Sequence, residues 1–263
     1  MLKGKYAYVI TSILIVLIVG SIVFFAKPKE SGTLERSNFS VTTKNVNYFR
    51  NISGCLAEPT EPGKHPGVVM IHEWWGLNDY IRATAQKLAS EGFTVIAVDL
   101  FHGEVAATPE KARQLVSSLD KDEAVSNLRS AVRYLKSEEN VTRLASLGWC
   151  FGGGQSLQLA LSGETLDATV IYYGNLVTDE SRLASIHWPV LGVFGDKDTA
   201  IPVAEAKKFD STLDKLGIEN EIYIYPGVGH AFANPTGANY APNETKDAWE
   251  KTIAFLNKHL KET

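Results

Sequence analysis

Three kinds of side chain with complementary chemistry follow one another along the chain. Cys150 lies in SLGWCFGGGQ, Asp196 and Asp198 in GDKD, and His230 in GVGHAF. A deprotonated thiol is a strong nucleophile, and an imidazole oriented by a carboxylate is suited to take its proton near neutral pH. Gly148-Trp149-Cys150-Phe151-Gly152 has the spacing of a nucleophile elbow, with Cys in the place usually held by Ser. Gly148 and Gly152 remove side chains that would collide in so sharp a corner, and Gly153 and Gly154 relieve crowding where the following helix packs. A helix beginning at Phe151 points its positive end at the sulfur and favours a thiolate. A buried structural cysteine beside a glycine-rich helix start would read the same locally. What separates the two readings is the order nucleophile, acid, base that the rest of the chain supplies.

Such residues work only if strands and helices hold them together. GVVMIH, FTVIAVDL, RLASLGW, DATVIYYG, PVLGVFG and EIYIYP read as short strands, most of them apolar enough to be buried on both faces. Helical patterns alternate with them. DYIRATAQKLASEG stops at Gly92, and TPEKARQLVSSL has Thr108 as N-cap and Pro109 in the first turn. The stretch 124–136 carries Leu128, Val132 and Leu135 on one face. GGQSLQLALSG, PVAEAKKFDSTLDKLG and residues 244–260 complete the set, and two β-rich stretches, 39–48 and 51–57, precede it. The alternation predicts an α/β fold: a mostly parallel sheet with helices on both faces, its chemistry at the carboxyl ends of the strands. Cys150, both aspartates and His230 all fall at such ends.

The remaining composition narrows the function. At 263 residues with a net charge of −4, the chain can hold one substantial domain. It shows no basic stripe outside its N-terminus, which excludes nucleic acid as a partner. MLKGK precedes an apolar run from Tyr6 to about Ala26, followed by Lys27 and Lys29. About 20 apolar residues make a helix of roughly 30 Å, long enough to span a bilayer. The run exceeds a signal-peptide core and ends in VFFAK, a poor cleavage site. Residues 1–27 therefore read as a membrane anchor in preference to a cleaved signal, 28–36 as a linker and 37–263 as the catalytic domain. That domain is expected outside the cytoplasm, or secreted if the segment is cleaved. Cys55 and Cys150 are the only cysteines. Cys55 reads as a small buried hydrophobe in a strand. HEWWG lacks the second His of a zincin, since Gly76 stands there, and no other cluster has ligand spacing. No metal or other cofactor is expected.

The stretches MIHEWWGLND, AVDLFHGEVAATPEKA, LGWCFGGG, YYG, VLGVFGDKD and GVGHAFANP, in this order, resemble the dienelactone hydrolase family, cysteine-nucleophile members of the α/β-hydrolases. The resemblance implies a triad of Cys150, Asp198 and His230, with Asp198 preferred to Asp196. It also implies a role for Glu73 in switching the cysteine into its thiolate. The expected reaction is cleavage of a small ester or lactone through a thioester. The backbone N–H groups of Trp74 and Phe151 would form the oxyanion hole. Trp74, Trp75, Tyr173 and Phe232 are candidate pocket walls. The founding activity of the family recognises a substrate carboxylate with two arginines, and here Gly103 and Asn234 occupy those places. That departure implies a preference for neutral substrates, with His102, and more weakly Arg82, as alternative anion partners. Competing readings are the same fold acting on another acyl or halide bond, or a catalytically silent ligand-binding domain.

Overall fold

The structure, a computed structural model, describes residues 39–261. An antiparallel pair, β1 (Val41–Phe49) and β2 (Ile52–Pro59), leads into the buried strands. These are β3 (Gly67–Ile71), β4 (Thr94–Ala97), β5 (Leu144–Trp149), β6 (Ala168–Tyr172) and β7 (Val190–Gly195), and every residue in them is buried. The half-buried β8 (Asn220–Tyr225) closes one edge. The order is β1-β2-β4-β3-β5-β6-β7-β8. β2 pairs antiparallel with β1 and β4, and every other pairing is parallel.

Continuous apolar strands need cover on both faces, and the helices provide it. They are α1 (Asp79–Ser90), α2 (Pro109–Ser117), α3 (Lys121–Ser137), α4 (Phe151–Ala160), α5 (Glu180–Leu183), α6 (Val203–Lys215) and α7 (Pro242–Leu260). Alternate residues of β3 enter opposite cores. Val69 and Ile71 share one with Leu128 and Val132 of α3 and Phe209 of α6. Val68 and Met70 share the other with Ile81 and Leu88 of α1 and Phe255 of α7. Burying each such aliphatic or aromatic side chain contributes about 1.5–3 kcal/mol. Local signals fix the helix starts: Asn78 accepts from the Ile81 N–H at 3.0 Å, and Thr108 from the Lys111 N–H at 3.3 Å. Each cap is worth about 1 kcal/mol.

Three elements differ from expectation. β4 stops at Ala97, before the end of FTVIAVDL, because the Asp99 carboxylate accepts the N–H groups of Phe101 and Gly103 and turns the chain. The last helix starts earlier, with Pro242 in its first turn. A single helical turn, α5, is started by Asp179, which accepts from the Arg182 N–H at 3.0 Å. The apolar run expected to be a membrane anchor, and the linker after it, lie outside the described residues. Among the described residues no helix is long and apolar enough to cross a membrane.

Candidate active site

The corner between β5 and α4 is as sharp as its glycines imply. Cys150 has φ 54° and ψ −118°, a conformation that costs a non-glycine residue on the order of 1–3 kcal/mol. Two hydrogen bonds hold it there: its N–H donates to the Tyr172 carbonyl at 2.9 Å, and its carbonyl accepts from Gly154 at 3.1 Å. A Cβ at Gly148 would run into the Gly152 carbonyl, and one at Gly152 into the carbonyls of Ile71 and His72. The glycines thus let α4 begin directly against the ends of β3 and β5.

Parallel register brings the other groups to the same edge. Ile71 lies beside Gly148, Trp149 beside Tyr172, and Gly195 beside Tyr225. The loops after β7 and β8 then carry Asp198 and His230 to Cys150. His230 Nε2 lies 3.0 Å from Cys150 Sγ, and His230 Nδ1 lies 2.8 Å from Asp198 Oδ2. A carboxylate only accepts, so Nδ1 carries hydrogen and Nε2 is left to exchange a proton with the sulfur. The second Asp198 oxygen accepts from Ala200 at 2.8 Å and Ile201 at 2.9 Å. Burial works against the Asp198 charge, but the hydrogen bonds from His230, Ile201 and Ala200 outweigh it and hold the carboxyl below its usual range. Burial also works against charge on His230, yet its hydrogen bonds to Asp198 and Cys150 push it up to about 10. Asp196 is elsewhere, accepting the Gly227 N–H at 2.7 Å.

Glu73 sits just past β3, 3% exposed, and among the described residues makes no hydrogen bond to the sulfur. Its hydrogen-bond partner is Asn234 Nδ2, from the loop after His230. Burial pushes its carboxyl up to about 7, against the opposing pull of Asn234 and His230. Neighbouring His72 is fully buried. The Leu100 N–H donates to His72 Nε2 at 3.1 Å, so Nδ1 carries the hydrogen and donates to the Glu73 carbonyl at 2.6 Å. Burial lowers the His72 pKa and keeps the ring neutral. The loop carrying Trp74 is thereby pinned to the end of β4. Among the described residues, neither the Trp74 nor the Phe151 backbone N–H meets an acceptor.

A cavity of about 310 Å³ opens over the sulfur. The candidate walls Trp74 and Tyr173 line it, together with Phe151 and with Val116, Ile201 and Arg113. The last three were not signalled by the sequence, because α2 and the loop after Asp198 reach the site only through tertiary packing. Tyr173 has φ 35° and a fully buried ring 5.2 Å from that of His230. Its hydroxyl meets no partner among the described residues.

Other expected pocket residues are corrected. Phe232 is fully buried in the core against Tyr225, at 5.4 Å, and is no wall of this cavity. Trp75 packs on the Trp74 ring at 4.9 Å and on the core, and is not among the residues lining the cavity. His102 and Arg82 line a separate cavity of about 610 Å³ beside β1 and β2. Arg82 there donates to Asn45 at 3.0 Å, bracing β1. Both cysteines are free thiols, Cys55 buried in β2. No group of residues that could hold a metal occurs among the described residues.

The sequence matches the profile of the dienelactone hydrolase family over residues 52–260. The chain belongs to that family. A relative from a Synechocystis species, assigned as a carboxymethylenebutenolidase, is 30% identical over 248 residues, covering 87% of this chain and 100% of its own. A Bradyrhizobium protein assigned as a 2-oxo-3-(5-oxofuran-2-ylidene)propanoate lactonase is 31% identical over 220 residues, covering 78% and 88%. Among solved structures, one assigned as a dienelactone hydrolase from Klebsiella pneumoniae superposes with a TM-score of 0.74 at 25% identity, over 83% of this chain and 99% of that one. This member of the dienelactone hydrolase family is a hydrolase of ester or lactone bonds.

Proposed function

We propose that Cys150, His230 and Asp198 perform this hydrolysis as nucleophile, base and orienting acid, through a thioester. The observation that carries the reading is the continuous contact from Sγ to Nε2 and from Nδ1 to the carboxylate, at 3.0 and 2.8 Å. His230 takes the thiol proton, and the thiolate attacks the carbonyl carbon. The carbonyl oxygen becomes an oxyanion facing the Trp74 and Phe151 N–H groups. Losing one such donor typically costs about 2.7–4 kcal/mol in the transition state. As the carbonyl re-forms, the C–O bond to the leaving alkoxide breaks and the alkoxide takes the proton from His230. Water then gives a proton to His230 and attacks the thioester, and the thiolate departs. Asp198 holds one tautomer throughout.

The cavity favours small neutral acyl groups. Its volume of about 310 Å³ is modest, and its walls include Trp74, Val116, Phe151 and Ile201. Apart from His230, which is engaged with Asp198 and Cys150, its one basic side chain among the described lining residues is Arg113, exposed and already paired with Glu110 at 2.9 Å. The test is mass spectrometry of the protein mixed with a chromogenic ester. A transient acyl adduct on Cys150 is expected. Cys150→Ala should form none while unfolding near the wild-type temperature. Wild-type turnover by Cys150→Ala would sink the assignment.

A further inference from the structure

A cavity of another kind lies at the opposite end of the sheet. It has about 390 Å³ and opens where the buried strands begin, bordered by Pro66 before β3, Gly92 before β4 and Arg143 before β5. Lys64, His65, Arg143 and Lys261 line it, and none of its described lining residues is acidic. Lys64 is exposed and makes no ion pair among the described residues. Lys261, at the end of α7, donates to the Glu91 carbonyl at 2.6 Å and lies 4.2 Å above the Phe93 ring. Burial lowers its pKa against the opposing pull of the Glu91 charge, so this ammonium is short of counter-charge. Arg143 reaches Asp167 only at 3.4 Å, and that carboxylate also accepts the Leu144 N–H at 2.8 Å. The Glu61 carbonyl meets His65 Nε2 at 3.1 Å, while its carboxylate accepts the Ser40 N–H at 3.3 Å. Gly92 keeps the space open, since a Cβ there would strike the Phe39 ring and crowd the Lys261 ammonium.

The place of this cavity along the chain points to its occupant. Phe39, the first of the described residues, forms part of its rim. Its N–H donates to the Ser90 carbonyl at 2.9 Å, and its ring meets His65 edge-on at 5.6 Å. Residues 27–38 join this rim to the apolar run that ends near Ala26, and they reach roughly 40 Å at full extension. With that run in a bilayer, the tether holds the cavity at a high effective concentration of headgroups. We propose that the cavity receives the phosphodiester of an anionic phospholipid and docks this end of the sheet on the membrane. The proposal rests on residues 1–27 being an anchor and is independent of the catalytic assignment. The cations answer the phosphate charge, and Phe39, Pro66 and Leu260 supply apolar flanks for the carbon atoms attached to it. Cys150 lies at the carboxyl ends of the same strands, so docking turns the active site to the aqueous phase. The substrate is then a water-soluble ester or lactone and not a lipid of the bilayer.

The experiment incorporates the full chain into lipid nanodiscs and reads acetylation of each lysine by mass spectrometry. Discs of phosphatidylcholine alone are compared with discs that also contain phosphatidylglycerol. Each basic side chain at an anionic membrane favours contact about fivefold. Lys64 and Lys261 should therefore react at least about fivefold more slowly in the anionic discs, while Lys44 and Lys121, elsewhere on the fold, should not change. Arg143→Gln should remove most of that protection, and high salt should do the same in the wild type. Alkylation of Cys150 by iodoacetamide should be equal in both discs. Equal reactivity of Lys64 and Lys261 in the two discs would overturn the proposal. So would equal protection by inorganic phosphate in neutral discs, which would make the cavity a site for a free anion. Protection of Cys150 in the anionic discs would place the other end of the sheet on the membrane, again overturning it. A chain that enters neither disc would remove the tether and the proposal with it. Failure of the catalytic assignment would leave all of these lysine readings unmoved.

Discussion

Two cavities of this molecule differ in kind, and the larger of the pair is not where the proposed chemistry lies. The cavity beside β1 and β2 has about 610 Å³ and a lining rich in charge, including Arg50, Arg82, His102 and Glu123. Its ionic groups satisfy one another: Arg50 pairs with Glu123 at 3.0 Å, and His102 approaches the same carboxylate at 3.9 Å. The cavity over Cys150 is half that size and mostly apolar, and its polar groups are aligned in one chain of contacts. The difference follows from topology. The first cavity lies beside the antiparallel edge, where β2 pairs with β1 and β4. The second lies across the carboxyl ends of parallel strands, where successive loops converge. Charge density marks a solvated surface, whereas convergence on a strained nucleophile marks a site.

The sharpest way to break this comparison is to disturb the alignment while keeping the volume. Asp198→Asn preserves shape but lets the amide donate to His230 and select the wrong tautomer. The loss in kcat should be on the order of 10²–10⁴, as expected when a triad carboxylate is replaced by its amide. Steady-state hydrolysis of a chromogenic ester measures it. Asp196→Asn, in the same turn but bonded to Gly227, should stay within about threefold. Equal losses in both would mean that the turn, and not the Asp198–His230 contact, is what matters.

The elbow was legible because its cause is local. Gly148 and Gly152 are required by the backbone itself, so their spacing announces the corner. Thr108 and Pro109 announced α2 for the same reason. The walls of the cavity were not legible. Aromatic residue type does not tell which side of a loop a ring takes, so Phe232 went into the core while Tyr173, also aromatic, lines the cavity. Arg113 could be placed on a helix from its spacing, but only packing of α2 brings that helix to the site. Asn234 read as a missing arginine, because its partner Glu73 lies 161 residues away in sequence.

Glu73 gives a second contrast, between a buried acid beside the site and the more exposed Glu104 and Glu123 of the other cavity. Its carboxyl, raised from 4.5 to about 7, keeps a proton in the folded protein that the unfolded chain has already lost between those values. Stability therefore falls as pH rises through that window, and the loss is complete above about 7. Glu73→Gln removes the penalty and still accepts from Asn234. The variant should match the wild type near pH 4 and exceed it at pH 8 by on the order of 3 kcal/mol, or several degrees in Tm. Thermal unfolding across pH checks this. A variant no more stable at pH 8 than at pH 4, relative to wild type, would show that Glu73 is charged at little cost.

The smallest expected effect separates the two cavities as sources of substrate selectivity. With no buried cation over Cys150 other than His230, which Asp198 and the sulfur already occupy, a substrate carboxylate would enter a mostly apolar space without a free partner and lose several kcal/mol of hydration. A neutral ester should therefore be preferred, in kcat/KM, to its carboxylate-bearing analogue of matched leaving group. Arg82→Ala and His102→Ala, in the other cavity, should leave that ratio unchanged. Arg113 is the one cation at the rim, but it is largely exposed and shared with Glu110, and exposed pairs of this kind are worth about 0–1 kcal/mol. Arg113→Gln should therefore shift the ratio by less than about fivefold, and raising the salt concentration should erase the shift. A wild-type preference for the anion that disappears in Arg113→Gln would overturn the neutral-substrate reading and place the anion contact on α2. One that disappears in Arg82→Ala or His102→Ala would join the larger cavity to the chemistry after all.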